Sequence, residues 1–294
     1  MNHLKLILSM ILEIYQSVES DLPKRPGVKP TIPDATVIQL IILKNLLGFR
    51  HESSFLRFIQ NLKLKSLFPQ LPERSRFNRR TKVLSPVIER IQFELLKRLE
   101  ADDLRIRIID TTPLPLIKLS RKNQSKIAKK NDLKVGYYSA QKYYYLGLKL
   151  SLTVNLDGVP ISTDFHPANQ HDLKTLVKES ARLSGLVIVG DKGYLGKKNQ
   201  QELKKNFNLA LITPYRKNQR EQNTKTEQKL LKQRKIIERT INQLKDQFNL
   251  EKLSAKSLEG FKERTKQIIL TYTFGIYFNK RAKRNALSVK SILT

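Results

Sequence analysis

The spacing of the apolar residues changes once along the chain, near residue 103, and that change limits the fold more than any other feature. Before it, apolar side chains recur at helical intervals in Leu4–Val18, Val37–Leu47, Phe55–Leu64 and Val83–Leu99. After it they alternate. Arg105-Ile106-Arg107-Ile108-Ile109-Asp110 opens as a strand and ends in an apolar pair followed by a carboxylate. Tyr144–Val154 alternates again, and Asn155-Leu156-Asp157-Gly158 is a hairpin turn into Val159–Phe165. A helix over Asp172–Leu183, a short buried strand Leu186–Gly190, a helix Lys197–Asn206, a strand Leu209–Thr213, a long basic helix Thr226–Phe248 and a last helix from Ser257 to Lys280 complete the order.

Three strands with a hairpin, then helix, strand, helix, strand, helix, predict an α/β fold of the RNase H-like kind, a mixed sheet with helices on both faces. The predicted division is 1–103, an all-helical N-terminal region, and 104–294, the α/β domain. Pro23, Pro26, Pro30 and Pro33 make Leu22–Pro33 a stiff linker, with Asp34 as N-cap of the helix that follows. The helices on either side of Gly48 form either a helix-turn-helix reader of DNA or a packed helical pair. Arg74–Arg80, basic and carrying Phe77, is a second candidate for DNA contact through Arg76, Arg79 and Arg80, with a solvated basic turn as the rival reading.

Charge narrows the class of partner. The 56 Lys and Arg against 26 Asp and Glu leave a net charge of +30, of which 1–103 carries +6 and 104–294 carries +24. Such a balance argues against an ordinary metabolic enzyme and for a polyanion, most simply nucleic acid. Residues 118–142, read as an exposed basic loop, offer Lys126, Lys129 and Lys130 to a phosphate backbone. The absence of cysteine excludes disulfides, thiolate zinc sites and cysteine nucleophiles. The longest strongly apolar run, Val37–Leu43, is too short for a membrane span. Leu4–Tyr15, interrupted by Lys5 and Glu13, reads as an amphipathic helix rather than a signal peptide. The expectation is a cytoplasmic, nucleoid-associated protein with no membrane partner.

Two carboxylates, Asp110 and Asp191, each follow a buried strand, where α/β sites form. A turn or cap aspartate is the plainer reading of either one. An acid retained amid this much positive charge is accounted for by a hard divalent cation such as Mg²⁺. The third candidate is Glu238: at 100° per residue Arg234 and Lys245 fall within about 40° of it on one helix face. That face is either a solvated ion-pair array or a metal ligand between phosphate-binding cations. Gly190, Gly193 and Gly196 do not make a phosphate loop, because Asp191 and Lys198 stand where glycine and Ser/Thr are required. His166 and His171 read as structural loop histidines.

The order Asp110, Asp191, Glu238, with Arg234-x3-Glu238-x6-Lys245, resembles the bacterial DDE insertion-sequence transposases, whose signature here is Tyr-x2-Arg-x3-Glu-x6-Lys. The strings Ile109-Asp110-Thr111-Thr112-Pro113-Leu114-Pro115, Gly136-Tyr137, Tyr145-Leu146-Gly147-Leu148-Lys149-Leu150, Pro167-Ala168-Asn169-Gln170-His171-Asp172 and Gly190-Asp191-Lys192-Gly193-Tyr194 are similar to the insertion sequence 982 group. Phe68–Arg80 is similar to its N-terminal region, so the resemblance covers nearly the whole chain. One departure stands out: Leu231 occupies the place of the signature tyrosine. The 47 residues from Asp191 to Glu238 also leave little room for a large inserted domain.

The resemblance implies a transposase that cleaves phosphodiester bonds at element ends and joins the 3′-hydroxyls to target DNA. Asp110, Asp191 and Glu238 would hold two Mg²⁺ ions, with Mn²⁺ able to substitute, for two-metal-ion catalysis. Arg234 and Lys245 would bind phosphate, and His171-Asp172 would help shape the site. The implied partners are double-stranded DNA, both terminal inverted repeats and target, and a second copy of the chain on DNA. A nuclease without strand transfer and a catalytically silent DNA-binding descendant of a transposase are the alternatives.

Overall fold

The computed structural model describes residues 2–22, 27–28, 30–62, 66–101, 105–215 and 222–293. Pro23 and Pro26 of the expected linker, Leu64 at the end of an expected helix and the expected boundary at 103/104 lie outside the described residues. In chain order the elements are α1 (Asn2–Glu19), α2 (Asp34–Leu46), α3 (Glu52–Asn61), α4 (Arg74–Val83), α5 (Ser85–Arg98), β1 (Ile106–Ile117), α6 (Lys126–Lys130), β2 (Lys134–Tyr138), β3 (Tyr143–Val154), β4 (Pro160–Pro167), α7 (Asp172–Glu179), β5 (Val187–Val189), α8 (Lys197–Phe207), β6 (Ala210–Ile212), α9 (Lys225–Lys232), α10 (Lys235–Asp246) and α11 (Leu258–Arg281), with short 3-10 turns between several of them. No helix among the described residues is long and apolar enough to cross a membrane.

The chain separates into two compact units, residues 1–99 with 244–294, and residues 100–243. The first contains α1 to α5 and α11. The sequence division places 244–294 with the α/β domain, whereas in the structure α11 packs on α5 and α2, and α1 on the same two helices. The reason is visible in α11 itself, which is buried on nearly every side from Phe261 to Asn279. A helix covered on this many sides needs neighbours on each of them. Gly275 admits the closest of them, since a Cβ there would lie 2.4 Å from Val289 Cγ1. α2 is likewise a core helix, buried at Val37, Ile38 and every residue from Leu40 to Asn45. Its N-cap is Pro33, and Asp34 is its first helical residue, held by the Arg80 guanidinium, so Asp34 is not the capping residue that the sequence suggests.

The second unit is built on a six-stranded mixed sheet in the order β2-β3-β1-β5-β6, with β4 also paired to β3. β1, β2 and β4 run antiparallel to β3, while β5 lies parallel to both β1 and β6. Ile109 of β1, Ile188 of β5, Leu176 of α7, Leu203 of α8, Leu209 and Tyr194 form one apolar cluster. Three local expectations change. β1 does not stop at Asp110 but continues through Thr-Thr-Pro-Leu-Pro to Ile117. Its pairing with β5 ends at Ile108, so Pro113 and Pro115, two residues apart, can turn their missing N–H groups toward the same open edge. The stretch 118–142 is not a plain loop, because it contains a 3-10 turn, α6 and β2.

The expected helix over Thr226–Phe248 is broken into α9 and α10 at Gln233-Arg234, without glycine or proline. Lys229, Lys232, Lys235 and Arg239 follow one another at i,i+3 and i,i+4, a spacing at which like charges weaken a helix. α9 starts on a complete capping box, Thr224 with Glu227, and α10 packs by Ile237, Thr240 and Ile241. Ile237 is wholly buried. Ile237→Ala should therefore lower the stability of this unit by about 2–5 kcal/mol in denaturant titration. A change within the scatter of surface substitutions would mean that α10 is not anchored by this residue.

Candidate active site

Three of the five charged groups at the centre of the second unit come from its strands or from a turn that follows one, and a fourth opens helix α7. Asp110 sits in mid-β1, opposite Leu152 of β3, and its Oδ1 accepts from the Thr111 amide at 2.7 Å. Asp191 follows β5 and turns its carboxylate back onto the Gly193 amide, capping the 3-10 turn Lys192–Tyr194. Asp172, first residue of α7, accepts from Thr111 Oγ1 and from Lys149 Nζ, each at 2.8 Å. Lys149, on β3, also donates to the Gln170 carbonyl at 2.7 Å, which fixes the loop before α7. A Cβ at Gly193 would lie 2.8 Å from Asp191 Oδ1 and 2.9 Å from Asp172 Oδ2, so only glycine lets the two carboxylates flank this turn.

Beneath them lies Tyr194. Its ring is wholly buried, and burial pushes its phenol well above the ordinary value, with Asp110, Asp172, Glu179 and Asp191 adding to the effect. Asp110 feels the same crowding. Burial, opposed in part by the Thr111 amide, and then the charge of Asp191, raise its carboxyl to about 7, with Asp172 adding and the Arg234 guanidinium opposing.

Arg234 is the fifth group, at the break between α9 and α10. Its guanidinium lowers the Asp110 carboxyl and also lies 3.6 Å from Glu238 Oε1. Its Nε is buried without a hydrogen-bond partner. Glu238 is half exposed and turned toward Arg234. Asp110 thus feels the charges of Asp191 and Arg234, and Arg234 in turn lies beside Glu238. Among the described residues, no three acids or histidines are arranged to hold a metal as they stand. The donor chemistry nevertheless fits a hard dication. Asp110 retains its proton to about pH 7 in the company of two further carboxylates, a clustering that a divalent cation relieves.

The remaining predicted residues divide by exposure. Arg76 and Arg79 on α4 and Lys126, Lys129 and Lys130 on α6 are exposed. Arg80 is turned inward, onto Asp34 and the Ile32 carbonyl. Lys245 is nearly covered, with its ammonium 2.6 Å from Glu251 Oε1. His166 is buried and bonded to Glu179 at 2.7 Å, and His171 caps α7. Sequence reasoning missed Asp172 and Lys149 as a pair. The strings that contain them carry no spacing signal, because the two residues meet only through the register of β3 beside β1.

The raised carboxyl makes a sign-definite prediction. Between its ordinary value of 3.8 and about 7, the folded chain holds a proton on Asp110 that the unfolded chain has released. The stability this group lends is complete below the ordinary value and gone once pH passes about 7. Asp110→Asn keeps an oxygen for the Thr111 amide and has no charge to bury. In chelator it should melt above the unsubstituted protein at about pH 8 and show no such advantage at about pH 4. An advantage equal at both pH values would show that the charge of Asp110 is not what burial opposes.

Residues 100–258 match the family described as Transposase DDE domain. No curated protein matches the chain. Among solved structures it is similar to a cryo-EM structure of a piggyBac transposase synaptic complex with hairpin DNA, at a TM-score of 0.51 and 11% sequence identity, over 98% of this chain and 76% of that one. At that identity the likeness is one of fold.

Proposed function

Since the chain belongs to the Transposase DDE domain family, we propose that it cuts DNA at the ends of a mobile element and joins the freed 3′-hydroxyls to target DNA, with Asp110, Asp191 and Glu238 as its catalytic carboxylates. The observation that carries this reading is Arg234. Its guanidinium lies 3.6 Å from Glu238 Oε1 and its charge also bears on Asp110, whose other charged neighbours include Asp191, so one cation links the helix that carries Glu238 to the strand that carries Asp110.

In this proposal the fold around the acids is an RNase H-like domain, and the acids bind Mg²⁺ or Mn²⁺. Asp110, Asp191 and Glu238 would hold the metal, and Arg234, beside Glu238, would bind phosphate. The bound metal would activate the attacking hydroxyl and stabilise the departing oxygen of an in-line displacement. Lys149 pairs with Asp172 and holds it against Thr111, which orients the backbone next to Asp110. Exposed Lys126, Lys129 and Lys130 follow the phosphate backbone of the DNA, while Arg76 and Arg79 contact the element ends. Arg80 and Lys245 are engaged in ion pairs of the helical unit and are left out of this set. Two ends processed together call for two copies of the chain on DNA. The insertion sequence 982 group of bacteria, and a place in the cytoplasm on the nucleoid, are the setting that the sequence motifs favour.

Labelled element ends incubated with Mg²⁺ and a target plasmid test the reading. Joined products support it. Cutting alone would reduce the protein to a nuclease, and binding alone to a silent descendant.

A further inference from the structure

β2 and β3 form a ribbon that outruns the rest of the sheet. β3 pairs with β1 only as far as Leu146 and with β4 only from Leu148, so Tyr143, Tyr144 and Tyr145 have β2 as their sole strand partner among the described residues. The ribbon carries five tyrosines within nine residues, and they divide by face. On one face Tyr143 meets Tyr138 and Tyr145 edge-on, at centroid distances of 5.6 and 6.3 Å, and the buried Tyr145 donates to the Ala168 carbonyl at 3.3 Å. Gly136 makes that packing possible, because a Cβ there would lie 2.4 Å from the Ala168 oxygen. On the other face Tyr137 and Tyr144 stand directly across from one another, 4.9 Å between centroids, and are 52% and 64% exposed.

The packed face accounts for the folding of the ribbon, and the exposed pair adds little to it. Its surroundings say what it suits. Residues 118–142 contain eight Lys and Arg against the single acid Asp132, and Arg121, Lys122, Lys126, Lys129, Lys130 and Lys142 are all exposed. So cationic a segment would repel a second copy of itself and attract a phosphate backbone. Aromatic rings beside such a track accept bases by stacking, with tolerance of sequence, since every base has a π-face.

We propose that Tyr137 and Tyr144 form a stacking platform for an unpaired nucleobase, on a DNA strand whose phosphates are held by the flanking cations. The proposal rests on the DNA-processing reading above and extends it to a second site. Tyr144 precedes Leu152, the partner of Asp110, by eight residues of β3, or about 27 Å of strand. Substitution on the ribbon therefore leaves the carboxylates untouched.

The test uses the full chain and two probes at one ionic strength, a blunt duplex and the same duplex with a single-stranded extension. The unsubstituted protein should prefer the extension. Tyr144→Ala and Tyr137→Ala should each lose about tenfold or more of that preference, with affinity for the blunt duplex nearly unchanged. Tyr144→Phe, which keeps the ring, should retain it and so separates stacking from misfolding. Ala variants that keep the preference, or a protein that binds the blunt duplex as well as the extended one, would overturn the platform and leave the DNA-processing reading standing. Failure to bind either probe would count against that reading itself. A loss of self-association in the Ala variants without DNA would make the pair a contact between copies and overturn the proposal.

Discussion

Asp191→Asn should remove strand cleavage and joining by about a thousandfold or more while leaving the binding of DNA ends almost unchanged. The substitution keeps the shape of the side chain and the oxygen that accepts from the Gly193 amide, so the 3-10 turn after β5 should persist. What it removes is negative charge next to Asp110. In the proposed site that charge holds a dication, whose stabilisation of the transition state is worth several kcal/mol, about a thousandfold in rate. The same change should lower the Asp110 carboxyl from about 7, since Asp191 is one of the charges that raise it. Two independent measurements follow, joining of labelled ends in Mg²⁺ and titration of Asp110 in the metal-free protein. Substantial cleavage by the variant would remove Asp191 from the catalytic set. An unshifted Asp110 would deny the contact between the two carboxylates.

Asp191 was the most legible part of this site. Val-Ile-Val-Gly before it reads as a short buried strand, and a carboxylate that follows such a strand emerges at the carboxyl ends of the sheet where sites assemble. Asp110 is singled out in the sequence for a reason that the structure modifies. Thr-Thr-Pro-Leu-Pro reads locally as the end of a strand, yet β1 continues because its second edge is open beyond Ile108 and tolerates proline. The break before α10 carries no glycine or proline, and its one mark in the sequence is the run of like charges from Lys229 to Arg239; Arg234 sits at that break. Asp172 was named only through the family resemblance, and its pairing with Lys149 was out of reach because its partners, Thr111 and Lys149, come from two strands brought together by register. Helical geometry placed Lys245 near Glu238 but could not see Glu251, which follows after the helix has ended. The membership of α11 was readable in principle. Its run Ile268–Phe278, broken only by Thr271, Thr273 and Gly275, asks for cover on more than one side, although its adjacency in sequence placed it with the α/β domain.

Affinity for arbitrary duplex DNA should fall about 10³- to 10⁵-fold between about 50 and 200 mM salt, the range expected of six to ten neutralised phosphates. The net charge of +30 alone does not require this, because cations locked in ion pairs release no counterions on binding. Arg80, Lys149, Lys245, Arg264 and Lys266 are committed in this way to Asp34, Asp172, Glu251, Glu52 and Glu89. Lys126, Lys129 and Lys130 on α6 are exposed, and the one acid of their segment, Asp132, pairs with Lys134. Each such cation that meets a phosphate contributes about −0.9 to the slope of log affinity against log salt. Lys129→Gln with Lys130→Gln should therefore flatten the slope by about 2, with no change in melting temperature, since exposed lysines contribute little to folding. Loss of the tyrosine pair should instead leave the slope as it is, because stacking displaces no counterions. A double variant with the original slope would place the phosphate track elsewhere on the chain, and the stacking platform would lose the charge that argues for it.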